Sequence, residues 1–271
     1  MLYFCDNIFM EHALTHITLE TFNYFLIGMT VIAVIVFIAL YFVEAGYGMF
    51  VSSKWGITIS NKKAWTFMEM PVFLSMLVLW FFSSRRFEAV PLLLFMFFQI
   101  HYFRRAFLYP YLLKGNSKMP LSVMFMGITF NICNALAQGG WIFYFSPADY
   151  YTIDWLTTPH FMIGTIIFFG GMYINISSDR IIRNLRQPGD TKHYLPKGGL
   201  FNYVSSAHYF GETIEWIGFA ILTWSWAGAV FALWTFANLV PRSNAIYHKY
   251  EIMFGEEMKE RKLKRIFPFI Y

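Results

Sequence analysis

The residues best able to do chemistry lie in the second half of the chain, where polar groups interrupt apolar runs. Asn175, Asp179, Arg183 and Arg186 lead into Gln187-Pro188-Gly189 and then into Leu195-Pro196-Lys197-Gly198-Gly199-Leu200-Phe201. An apolar run follows that nevertheless holds Gly211-Glu212-Thr213-Ile214-Glu215-Trp216-Ile217-Gly218. A carboxylate inside a membrane-grade segment costs about 2.5–3.5 kcal/mol on insertion scales, so Glu212 and Glu215 mark a site or a satisfied polar network, not lipid-facing surface. Acid, amide and guanidinium groups beside such a segment suit an anionic ligand with a polar ring, such as a nucleotide. Membrane orientation accounts for basic residues in 177–199, but it has no need of Asn175, Asp179, Pro188, Gly189, Pro196 and paired glycines. His208, Glu212 and Glu215, spaced four and three apart, fall on neighbouring helical positions. They could resemble a metal set, but no other apolar segment offers a matching His-rich box, and no metal is assigned.

The elements that must position these groups follow from composition. The chain of 271 residues is 57% hydrophobic and 14% charged, with a mean hydropathy of +0.46. Soluble domains carry about 25% charged residues, so the class is integral membrane and all-α. Phe25 to Val43 has no charge and is long enough to cross a hydrocarbon core. Residues 1–20 hold Asp6, Glu11 and Glu20 without a basic leader or a small-residue cleavage site, so the first span is expected to be retained. About seven membrane segments are expected, near 23–43, 66–84, 88–109, 119–145, 153–176, 200–225 and 227–241, forming a single bundle. Lysine and arginine gather after the first, third, fifth and seventh segments, which puts the amino terminus outside and the carboxyl terminus in the cytoplasm. Arg85-Arg86 alone runs against that pattern. Cys5 and Cys133 make no disulfide framework, and neither has a second soft ligand nearby. Nothing marks a nucleic-acid partner, and a monomer in the bilayer is the expected state.

Taken together, these motifs resemble the steroid 5α-reductases. Asn175-Ile176-Ser177-Ser178-Asp179, Leu185-Arg186-Gln187-Pro188-Gly189, the Leu195–Phe201 run and Gly211–Gly218 carry the likeness. Upstream it continues through Gly46-Tyr47-Gly48, Ala64-Trp65, Glu69-Met70-Pro71 and His101-Tyr102-Phe103-Arg104-Arg105. It closes on Pro268-Phe269-Ile270-Tyr271. The resemblance spans essentially the whole chain in order and implies one seven-helix domain over 1–271, with 1–118 mainly on the substrate side and 119–271 mainly on the cofactor side. It further implies an NADPH-dependent enzyme that reduces the Δ4 double bond of 3-oxo steroids.

Such a reaction needs a hydride donor over the β-carbon and hydrogen-bond donors on the carbonyl oxygen. The resemblance implies Glu69 and Tyr102 for that clamp, Tyr102 through its phenol and Glu69 as a protonated acid. Read without it, Tyr102 is an interfacial aromatic at the end of the third helix, and Glu69 is as readily a carboxylate at a helix start. The resemblance also implies a cofactor site from Arg105, Asn175, Asp179, Arg183, Arg186, His208, Glu212 and Tyr250. Arginines would take phosphates, Asn and Asp the ribose or adenine edge, and Glu212 the nicotinamide amide. Met68 stands where several relatives carry Gln, and His208 where some carry Asn. Lys118 is one counterpart for a family arginine, and His248 is an alternative to Tyr250. Glu215 could serve the site or a hydrogen bond between helices. No Gly-x-Gly-x-x-Gly follows a strand-like run, so a nicotinamide cofactor would bind within the helices. The substrate cavity is expected to be apolar, built from the first four helices with residues such as Phe67, Met70, Phe73, Trp80, Met96, Phe98, Met124 and Phe125. Reduction of another enone lipid, and a membrane methyltransferase of the isoprenylcysteine type using S-adenosylmethionine, are the alternatives. A transporter would explain intramembrane acids but not Arg186-Gln187-Pro188-Gly189. A desaturase needs several histidine boxes, and only His12 and His16 have that spacing.

Overall fold

Apolar runs of this length cannot leave backbone polar groups unpaired in lipid, and helices satisfy them within the segment. The computed structural model describes residues 17–187, 190 and 192–271. Pro188 and Gly189 of the loop motif lie outside the described residues, as do Cys5, His12 and His16. The described chain is mostly helical: α1 Leu19–Phe42, α2 Asn61–Phe82, α3 Ala89–Phe103, α4 Leu121–Gly140, α5 Pro159–Asn184, α6 Ala207–Thr223 and α7 Trp226–Arg261. Among the described residues, four helical stretches are long and apolar enough to cross a membrane: Leu19–Phe42, Asn61–Phe82, Leu121–Phe145 and Pro159–Asn184.

Several boundaries depart from the hydropathy pattern for nonlocal reasons. After α3 the chain widens into a π-turn over Arg104–Leu108 and then a short helix over Tyr109–Leu112. The sixth apolar run does not become helix at 200. Gly199–Asn202 form a 3₁₀ turn, and the N–H groups of Ser205 and Ser206 donate to Lys264 O and Arg265 O of the carboxyl-terminal tail (2.8 and 3.1 Å). The last helix runs on past the expected end at 241, through Pro241 to Arg261, with non-helical dihedrals at Phe254.

Two ends of the bundle can be distinguished. At one, Arg85 donates to Ser146 Oγ at 2.7 Å and pairs with Glu88 at 2.9 Å, while Tyr150 Oη donates to Trp224 O. At the other, strands β1 (Thr58–Ser60) and β2 (Lys118–Pro120) pair antiparallel, with Ile59 opposite Met119. Arg242 there donates to Ala45 O and Tyr47 O, both at 2.7 Å, and stacks on the Tyr47 ring. Arg85 and Arg86 therefore sit at the end opposite the other basic loops, where Glu88 and Ser146 hold Arg85.

The closest helix pair is α5 with α6. A Cβ placed on Gly164 or Gly171 would strike the backbone of Leu222 or Glu215. One placed on Gly211 or Gly218 would strike that of Asn175 or Phe168. Seven-residue spacing puts each glycine pair on one face, and the missing side chains let the two backbones touch. This contact brings Asn175 against His208 and Glu212.

Candidate active site

A cavity of about 880 Å³ lies beside this contact. Its wall is mostly apolar, drawn from α1 (Met29, Val36), α4 (Val123, Phe130) and α7 (Phe231, Trp234). A few polar groups converge at one side: Glu69 from α2, His101 and Tyr102 from α3, Arg105 from the π-turn, and Glu212 from α6. A mostly apolar cleft with few, convergent polar groups is the usual form of a small-molecule site. The first four helices alone do not enclose it, because α6 and α7 close its remaining wall. Of the eight aromatic and methionine residues expected to line it, Phe125 does. Phe67 and Met96 are instead exposed on the bundle's outer surface, and Phe98 is buried in the core against Tyr102 and Trp216. The lining is drawn from both sides of residue 118, with Trp65, Met68, Glu69, His101, Tyr102 and Arg105 before it and residues of α4, α6 and α7 after it.

The polar side is held from behind. Asn131 Nδ2 donates to Glu69 Oε2 (3.2 Å) and to Met68 O (2.7 Å), tying the α2 carboxyl to α4. Asn134 Nδ2 donates to Tyr102 Oη at 3.0 Å. His101 Nδ1 and Glu215 Oε1 share a 2.6 Å hydrogen bond, and both residues are almost wholly buried. Trp216 packs on His101, Tyr102 and Phe231, with centroids 4.5, 5.8 and 4.3 Å apart.

Next to the cavity is a buried charge cluster. Arg104 reaches Asn175 Oδ1 through both terminal nitrogens (3.0 and 2.7 Å) and Asp179 Oδ2 at 2.8 Å. Arg105 faces Glu212 Oε2 at 3.8 Å while its guanidinium lies over the Trp65 and Tyr109 rings. Asn175 Nδ2 donates to His208 O (2.9 Å) and Glu212 Oε2 (3.4 Å). Nδ1 of His208 and Oε2 of Glu215 are buried without a hydrogen-bond partner.

The structure thus brings together Glu69, Tyr102, Arg105, Asn175, Asp179, His208 and Glu212. Arg183 lies half-buried one turn beyond Asp179 on α5. Arg186 and Tyr250 stand apart from the cluster. Arg186 donates to Lys192 O and meets His193 Nδ1, both at 2.9 Å. Burial, and then the Arg186 charge, hold His193 below its usual range, so its neutral Nδ1 accepts that bond. Tyr250 is buried in an apolar cluster with Leu195, Ile246 and Met258. His248 is on the exposed side of the helix, bonded to Glu251 at 2.9 Å, and Lys118 is exposed in β2. Glu215 makes the interhelical hydrogen bond anticipated as one of its two readings. Sequence reasoning missed Arg104, Asn131, Asn134 and Gln138. The last three recur at steps of three and four within an apolar run, which is the signal of a buried polar stripe.

The chain is similar over most of its length to known proteins. A family profile described as 3-oxo-5-alpha-steroid 4-dehydrogenase matches residues 117–271. The chain is 38% identical over 240 residues to "Steroid 5-alpha-reductase DET2" of Arabidopsis thaliana, covering 86% of this chain and 90% of that protein. It is 37% identical to the protein of the same name from Gossypium hirsutum, covering 92% and 97%. To "3-oxo-5-alpha-steroid 4-dehydrogenase 1" of Homo sapiens it is 39% identical over 229 residues, covering 83% and 86%. With likeness of this extent to plant and mammalian reductases, the chain belongs to the 3-oxo-5-alpha-steroid 4-dehydrogenase family, the steroid 5-alpha-reductases.

Proposed function

We propose that this protein uses NADPH to reduce the Δ4 double bond of a 3-oxo steroid, giving the 5α product. The observation that carries the reading is one cavity with a mostly apolar wall and a single polar side, which adjoins a buried cluster of arginine, carboxylate and amide groups. The apolar wall matches a steroid's ring system. Tyr102 and Glu69, the latter as the neutral acid, are the donors for the carbonyl oxygen, where negative charge grows during reduction.

The charge cluster fits a nicotinamide dinucleotide. Its arginines supply forked donors for phosphate, Asp179 and Asn175 suit ribose hydroxyls, and Glu212 can accept from a carboxamide. The unpartnered His208 Nδ1 gives one further polar contact within that set. Bound there, the cofactor would supply the hydride. The residues of this chain would orient both ligands, exclude water and stabilise the charge on oxygen. Arg183, Arg186 and Tyr250 complete the proposed cofactor site from its loop side. The bundle is read as seven crossings, with the amino terminus outside and the carboxyl terminus in the cytoplasm, and as a monomer.

Anaerobic incubation of the purified protein with NADPH and progesterone or testosterone tests this reading. Loss of reduced-nicotinamide absorbance with a 5α ring fusion in the product is expected. NADPH consumed only with a non-steroidal enone lipid would move the substrate class. No consumption, together with tight S-adenosylmethionine binding, would overturn the reading in favour of methyl transfer.

A further inference from the structure

Behind Tyr102 runs a short chain of buried amides whose polarity can be read from one end. Ala227 O is a backbone carbonyl and can only accept, and Gln138 Nε2 donates to it at 2.8 Å. The same Nε2 meets Asn134 at 3.3 Å, so the atom presented there is Oδ1. That turns the other end of the Asn134 amide, Nδ2, to Tyr102 Oη at 3.0 Å. An amide nitrogen has no lone pair to offer, so the phenol oxygen must accept this bond. The phenol's own proton is then left free, on a residue that lines the cavity. Asn134 is 0% exposed, Gln138 1% and Tyr102 3%, so water does not scramble the order.

We propose that Asn134 and Gln138 are positioning residues that fix the direction of the Tyr102 hydroxyl, holding its proton toward the substrate carbonyl. This inference rests on the reading of Tyr102 as the carbonyl donor. With the amides reversed, the hydroxyl would donate its proton to Asn134 Oδ1 and meet the substrate with lone pairs.

Gln138→Glu tests it without touching the cavity. A neutral acid at 138 donates its own O–H to Ala227 O and offers its second oxygen to Asn134. Asn134 then turns over, its Oδ1 faces Tyr102, and the phenol proton is drawn away from the substrate. The expected result is a kcat lower by about 10²-fold, the scale of losing one such donor, with steroid KM and the NADPH dissociation constant little changed. Gln138→Met strips both hydrogen bonds but leaves Asn134 free to keep its orientation, and should lose far less. A merely structural role would make the Met variant at least as damaging. In a Tyr102→Phe background, Gln138→Glu should add almost nothing. An equal loss there, or unchanged turnover of Gln138→Glu in the parent, would overturn the proposal. If Tyr102→Phe itself turns over normally, the carbonyl-donor reading fails instead, and the two failures are distinct. Should Gln138→Glu not fold, Asn134→Asp serves: its carboxylate accepts from Gln138 and Tyr102 alike, and the same kcat loss is expected.

Discussion

Two donors aimed at one oxygen do not act independently. If Glu69 and Tyr102 both serve the steroid carbonyl, their bonds strengthen as charge develops and act mainly on kcat. Tyr102→Phe and Glu69→Gln should each fold and retain NADPH binding, with kcat lower by about 10²–10³-fold for the tyrosine change. Glu69→Gln keeps an N–H donor and should be the milder of the two. The double variant should lose less than the product of the single losses, measured by steady-state NADPH consumption. Near-normal turnover of Tyr102→Phe would end this assignment. Arg104 has a different task, since it neutralises Asp179 and accounts for Asn175 Oδ1 inside the bundle. Removing one partner of a buried pair costs about 3–5 kcal/mol because the other charge is left unpaired. Arg104→Ala should therefore lower the melting temperature in detergent and weaken NADPH binding together. An unchanged melting temperature would show that the pair is not truly desolvated. Acids within an apolar run made Glu212 and Glu215 visible from sequence, Asp179 stood out among the polar groups that lead into the loop, and Glu69 came from the family resemblance. Which of two adjacent arginines meets Asp179 was not visible, because the π-turn over Arg104–Leu108 changes the local register and leaves no compositional trace.

Among the helices, the α5–α6 contact sets the site's dimensions. Asn175 meets Glu212 only because Gly171 and Gly211 let the two backbones touch. Gly171→Ala or Gly211→Ala would place a methyl group against backbone, which cannot rotate away. Overpacking commonly costs about 1–3 kcal/mol, and here the helices must also part. Both variants should melt earlier and bind NADPH more weakly, as read by nicotinamide fluorescence. Gly28→Ala and Gly170→Ala, where an added Cβ meets nothing within 4 Å, should behave like the parent. Equal effects at all four positions would mean that close approach is not what the first two glycines provide. Hydropathy located the cores of α1, α2 and α4 because those helices end near where their apolar runs end, whereas α5 begins at Pro159 and runs on past the expected end at 176 to Asn184. It misplaced the start of α6, since pairing of Ser205 and Ser206 with the distant tail keeps 203–206 out of the helix. It also ended α7 too early. Helical hydrogen bonding continues into charged sequence, and a hydropathy window registers only membrane thickness.

Viewed as a whole, the proposed reaction has two ligands to admit from different media. A steroid partitions into the bilayer and matches the apolar wall between α1, α4 and α7, whereas NADPH is soluble and highly anionic. The charge cluster sits toward the end of the bundle that carries the 184–206 loop and the tail. Both of those segments are rich in lysine and arginine, which retain loops on the cytoplasmic side. The same residues would draw in the cofactor, and its 2′-phosphate gives arginine or lysine an additional anion to engage. NADPH should therefore bind far better than NADH, and Arg186→Ala should raise the NADPH dissociation constant with a smaller effect on enone binding. Equal affinity for the two nicotinamides would remove the 2′-phosphate from the argument. The proposed orientation rests on the same charges, despite Arg85 and Arg86 at the far end. Arg85 is ion-paired with Glu88 and bonded to Ser146, so its charge is partly neutralised where it stands. Single cysteines at the exposed positions Lys192 and Lys259 should resist an impermeant maleimide in intact cells and react after permeabilisation. A cysteine at exposed Asp154, on the opposite end, should react in intact cells. Efficient outside labelling at Lys192 or Lys259 would invert the topology and place the cofactor cluster on the wrong side of the membrane for a cytoplasmic reductant.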